Sequence, residues 1–131
     1  MKITSKSVNK YINPKIGLIG ALIMGGIVFI INLEHGWFLS TTAGLKQGLY
    51  TFFFGGIIIK LLEHLLLQIK NPYMAISLSV SVISVFTSLL VFLVHSLKGT
   101  PEPFLSTVPT ILMAPPGFLV LAIKFRREQH K

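Results

Sequence analysis

The chain has 131 residues, of which 52% are hydrophobic and 12% charged, with a mean hydropathy of +0.74 and a formal net charge of +8 at pH 7. A soluble domain carries about twice that charged fraction, so a soluble globular protein is excluded, and the length suits one domain covering residues 1–131. There is no cysteine, which excludes disulfides, thiolate catalysis and Cys-based metal sites.

Residues 1–15 are polar and basic and read as a short cytoplasmic tail, with a turn signal at Asn13-Pro14 and an interfacial turn near Tyr11. The first apolar run, residues 16–33, predicts a membrane span. It is longer than a signal-peptide core and no small-residue cleavage site follows, so a retained signal anchor is expected. Gly17, Ala21 and Gly25 repeat every four residues along it, a small-residue row that lets a second helix approach closely. Residues 34–47 read as an outer loop in which Trp37 and Phe38 mark the interface.

The second span is predicted at residues 48–69, GLYTFFFGGIIIKLLEHLLLQI. Gly48 and Gly56 offer further close-packing positions on it. Lys60, Glu63 and His64 fall at i, i+3 and i+4, hence on one helical face. A charge at membrane depth costs about 2.5–3.5 kcal/mol on insertion scales, so such residues usually face protein or water and mark a site. Counted from Gly48, Lys60 lies about 18 Å along the helix, past the bilayer centre. An internal ion pair that only holds helices together fits the same three residues.

Asn71-Pro72 is an inner turn, and the third span is predicted at residues 73–97. Ser77, Ser81, Ser84 and Ser88 follow i, i+4, i+7, i+11, and His95 continues the row seven residues on. With Lys60, Glu63 and His64 these residues make a candidate intramembrane polar site. Single serines in membrane helices commonly bond their own i−4 carbonyl, but a row of four with a histidine asks for more. A short loop leads to the fourth span, residues 104–125, where Pro115 and Pro116 remove two backbone donors. The expectation there is a kink or break at mid-depth.

The predicted fold is therefore all-α: an integral membrane bundle of four transmembrane helices with both termini cytoplasmic. Nine Lys and Arg residues fall on the predicted inner segments, against Lys46 and Lys98 outside, as the positive-inside rule requires. A multi-pass protein of a cell (inner) membrane is expected, with anionic lipid headgroups rather than nucleic acid as the partners of the basic tails. Glu34, His35 and Glu102 form an outer-face polar cluster. Their spacing lacks the tightness of a metal motif, so no metal and no cofactor is expected. No phosphate loop, HExxH, nucleophile elbow or dinucleotide fingerprint is present.

The function these features favour is transport or lipid handling by a homo-oligomer, or by an accessory subunit of a larger membrane partner, through the intramembrane polar site. Two alternatives stand beside it. One is a membrane-embedded enzyme on a lipid or isoprenoid substrate, with Glu63 or His64 as base and Lys60 holding an anionic headgroup. The other is a pore-forming, holin-like protein.

Overall fold

The computed structural model describes residues 14–130. The leader of residues 1–13, with Lys2, Lys6, Lys10 and the Tyr11 turn, and the terminal Lys131 lie outside the described residues. Within them the chain forms four long helices: α1 (Pro14–Ile31), α2 (Trp37–Gln68), α3 (Pro72–Leu97) and α4 (Pro103–Gln129). A 3₁₀ turn, Leu33–His35, joins α1 to α2. All four helices are long and apolar enough to cross a membrane.

Local chemistry sets the helix boundaries. Asn71 caps α3 by accepting from the backbone N–H groups of Tyr73 and Met74, 3.0 and 3.1 Å away, and Pro72 opens the helix where a missing donor costs nothing. Pro103 opens α4 in the same way. Gly36, with φ of 95°, makes the reversal before α2, a backbone state that disfavours any side chain.

The helix α2 departs from the expected outer loop. Residues 37–47 are not loop but the first three turns of a single 32-residue helix, about 48 Å long. Gly44 and Gly48 are there for packing and not for turns. This changes the depth of Lys60, which lies 23 residues beyond Trp37, about 35 Å along the axis. The hydrocarbon core is about 30 Å thick. Measured from the start of its helix, Lys60 thus lies about 35 Å along the axis and not the roughly 18 Å counted from Gly48.

Of the kink or break expected in α4, the break is absent, since the helix runs uninterrupted through Pro109, Pro115 and Pro116. The adjacent prolines deprive the carbonyls of Ile111 and Leu112 of their i+4 donors, but the turns on either side carry the helix across the gap.

Helices α1 and α2 form an antiparallel hairpin. A Cβ built on Gly25 would meet the carbonyl oxygen of Gly44 at 2.8 Å, and one built on Gly44 would meet that of Gly25 at the same distance. Gly48 faces Ala21, and Gly17 faces Phe52. The row of Gly17, Ala21 and Gly25 thus lies along α2, while Gly56 lines a groove beside Pro14 and Gly20. Helices α2, α3 and α4 enclose an apolar cluster toward the end of the bundle that holds the α2–α3 turn, centred on Ile58, Leu62, Leu66, Ile83 and Phe125. The outward surface is strongly apolar, with Phe38 and Trp37 80% and 76% exposed, and only lipid accommodates such a surface over four helices.

Candidate functional site

Polar side chains gather inside the half of the bundle that holds the α1–α2 and α3–α4 connections. Asn32, just past α1, is fully buried. Its amide nitrogen donates to the Val28 carbonyl and to Ser106 Oγ, both at 2.8 Å, and its Oδ1 accepts from the Glu102 backbone N–H at 3.2 Å. Ser40 Oγ, on the first turns of α2, is 2.7 Å from the Asn32 carbonyl. Above this knot His35 Nε2 lies 3.0 Å from Glu102 Oε1 on the surface. One asparagine thereby ties the α1–α2 turn to the start of α4.

A second knot lies one to two turns deeper. Lys46 extends its amine outward along α2 to donate to the Lys98 carbonyl at 2.7 Å and to Thr100 Oγ1 at 3.1 Å. Thr100 Oγ1 is 2.9 Å from His95 Nδ1, and His95 Nε2 is 3.1 Å from Gln47 Oε1. Gln47 Nε2 then donates to Thr51 Oγ1 at 3.2 Å. An amide oxygen only accepts, so His95 Nε2 carries its proton. Lys46 occupies one lone pair of Thr100 Oγ1, and between that hydroxyl and His95 Nδ1 either group can donate. The chain of contacts runs Lys46, Thr100, His95, Gln47, Thr51.

Below this relay the interior stays polar. Tyr50 follows Gln47 on α2, while Thr87, Ser84 and Ser79 lie on α3 about 12, 16 and 24 Å inward of His95, and Thr110 lies on α4. All five are buried, and among the described residues none of their hydroxyls has a hydrogen-bond partner. An unsatisfied buried hydroxyl costs about 1–3 kcal/mol, and five in one interior is a large sum for a small bundle. The apolar cluster around Leu62 and Phe125 closes the end that holds the α2–α3 turn.

The candidate residues read from the sequence fall into two groups. Glu63, Ser84 and His95 are buried and Ser88 is half-buried, whereas Lys60, His64, Ser77 and Ser81 are exposed. Glu63 therefore parts from its sequence neighbours, lying on the side of α2 that carries Leu62 and Leu66. His35 and Glu102 are brought together, while Glu34 remains exposed on the 3₁₀ turn. Pro115 and Ile111 line the groove between α3 and α4. Sequence reasoning missed Asn32, Ser40, Lys46, Gln47, Thr100 and Ser106. It missed Ser79 and Thr87 too, whose signal was the four-residue step Ser79, Ile83, Thr87, Val91, His95 on α3, masked by the more regular serine row. Among the described residues, no group of three His, Asp or Glu side chains comes together as a metal would need.

The fold and its interior define a multi-pass, four-helix membrane protein with buried polar residues. No protein-family model, curated protein or solved structure matches the chain.

Proposed function

We propose that this protein is a membrane-embedded transport subunit, working as an oligomer or beside a larger membrane partner, that admits a small polar solute into the outer half of its helical bundle. The observation that carries this reading is the set of unpartnered hydroxyls of Tyr50, Ser84, Thr87 and Thr110 beneath the His95 relay; Ser79, between Ala75 and Ile83, lies at the level of the apolar cluster. A bundle selected only to anchor itself would bury methyl groups at those positions. Hydroxyls arranged along an interior path instead offer a solute replacement for its hydration. The apolar cluster around Leu62 and Phe125 is the barrier such a path needs, and the positive-inside rule applied to the basic tails supports a cytoplasmic position for it. Anionic headgroups at that side steady the orientation.

The enzyme alternative, with Glu63 or His64 as base and Lys60 holding a headgroup, draws less support, because Glu63 is buried while Lys60 is exposed, and among the described residues no enclosed cavity lined by these three supports it.

The cysteine-free sequence makes the test direct. Thr87→Cys and Thr110→Cys, reconstituted in vesicles, are expected to react with a membrane-impermeant thiosulfonate added from the outer side. Leu62→Cys, in the apolar cluster, is expected to stay inert. If the two threonine positions react no faster than position 62, the polar path does not exist.

A further inference from the structure

The charges of this chain are spread unevenly around its hydroxyl-lined interior. The sequence holds four acidic residues, all glutamates, and none of them stands beside those hydroxyls. Glu34 is exposed on the 3₁₀ turn, and Glu102 is held on the surface by His35. Glu128 belongs to the basic tail. Glu63 is buried on the side of α2 that carries Leu62 and Leu66, about 25 Å along the helix from Lys46.

Two lysines stand instead at the end of the interior nearest the α3–α4 connection. Lys46 is half-buried, and its amine donates to the Lys98 carbonyl and to Thr100 Oγ1. Both acceptors are neutral, so they solvate the ammonium without cancelling its charge. An ammonium has three protons to donate, and these two bonds leave one for a ligand. The side chain of Lys98, exposed on the same rim, adds a second positive charge that acts on Lys46 through space. Tyr50 lies one turn below Lys46 on the same face of α2, buried and with its hydroxyl unpartnered among the described residues. Thr87 and Thr110 are buried and unpartnered in the same way.

Hydroxyls by themselves serve either sign, because each can turn its proton or its lone pairs toward a ligand. The fixed charges therefore decide, and apolar walls concentrate the field of a few charges at a mouth of this kind.

We propose that the path beneath Lys46 takes a small monovalent anion, drawn in by Lys46 and Lys98 and given donors in place of water by Tyr50, Thr87 and Thr110. A cation would meet two like charges at the entrance and no carboxylate beyond it. A dianion would carry its second charge uncompensated into the interior, where an unpaired charge is costly. This assignment rests on the polar path proposed above and adds the sign of what enters it.

The test uses Thr87→Cys in the otherwise cysteine-free chain, reconstituted in lipid vesicles. Its reaction with an anionic sulfonatoethyl thiosulfonate is timed against that with a cationic trimethylammonioethyl thiosulfonate, each rate divided by the rate with a free thiol in water. The anionic reagent is expected to lead by at least about tenfold. Lys46→Gln is expected to cut that lead several-fold, while Lys46→Arg keeps it. Lys98→Gln removes a charge but leaves the backbone carbonyl that Lys46 holds, so it is expected to cut the lead by a smaller factor in a chain of unchanged fold. Equal normalised rates, or a cationic lead, overturn the anion assignment and leave the polar path standing. So does an anionic lead that neither Lys46→Gln nor Lys98→Gln alters. Failure of both reagents to react removes the path, and the assignment falls with it.

Discussion

Nε2 of His95 lies 3.1 Å from Oε1 of Gln47, joining α3 to α2 across the interior of the bundle. Both residues are almost wholly buried, so the bond is made where neither group has water to fall back on. Removing one partner strands the other, and His95→Leu or Gln47→Leu is expected to lower stability by about 1–3 kcal/mol. The double variant is expected to lose less than the sum, with a coupling of about 0.5–2 kcal/mol. Equilibrium unfolding in mixed micelles measures all four corners, and strict additivity would show that the bond contributes nothing.

The α1–α2 hairpin depends on a mutual close approach. Because a Cβ on either Gly25 or Gly44 would meet backbone oxygen at 2.8 Å, alanine at either position forces the helices apart. The expected cost is about 1–3 kcal/mol. Gly26, the next residue, has nothing within 4 Å of a built Cβ, so Gly26→Ala is expected to be neutral or to stabilise by up to about 1 kcal/mol through helix propensity. Comparing unfolding midpoints of the three variants decides the matter, and equal effects at 25 and 26 would contradict the packing.

The Asn32 side chain joins the end of α1 to the start of α4. Asn32→Leu leaves the Glu102 N–H and Ser106 Oγ without their partner and is expected to cost at least about 2 kcal/mol. Ser106→Ala keeps the bond from Asn32 to the Val28 carbonyl and is expected to cost about 1 kcal/mol. Amide exchange should quicken at residues 99–106 in the asparagine variant before it does so elsewhere. Protection there that is unchanged would mean the loop is held by other contacts.

The length of α2 predicts where Lys60 meets water. A maleimide that cannot cross the membrane should label Lys60→Cys from the inner side at a rate near that of Lys70→Cys, and should leave Leu49→Cys unlabelled. Lys60→Leu is expected to change stability by no more than about 0.5 kcal/mol. Slow labelling at 60 would return this lysine to the bilayer interior and restore its candidacy as part of an internal site.

Much of this protein is legible in its sequence because lipid imposes a simple condition. A segment of about 20 apolar residues has to satisfy its backbone internally, and a helix is the way a single segment does so. The four helices, the Asn71-Pro72 turn and the basic flanks follow from that condition and local chemistry alone. Where α2 begins did not follow, because polar Ser40, Thr41, Lys46 and Gln47 read as loop until Asn32, Lys98, Thr100 and His95 are brought beside them.

The direction each polar side chain faces was likewise decided by packing. A serine row on α3 is visible from spacing, but the crossing of α3 over its neighbours sweeps the buried face around the helix, so Ser84 and Ser77 end on different surfaces. Lys60, Glu63 and His64 share one side of a helical wheel, yet only Glu63 is enclosed. Periodicity states which residues share a face, and tertiary contacts alone state what that face meets.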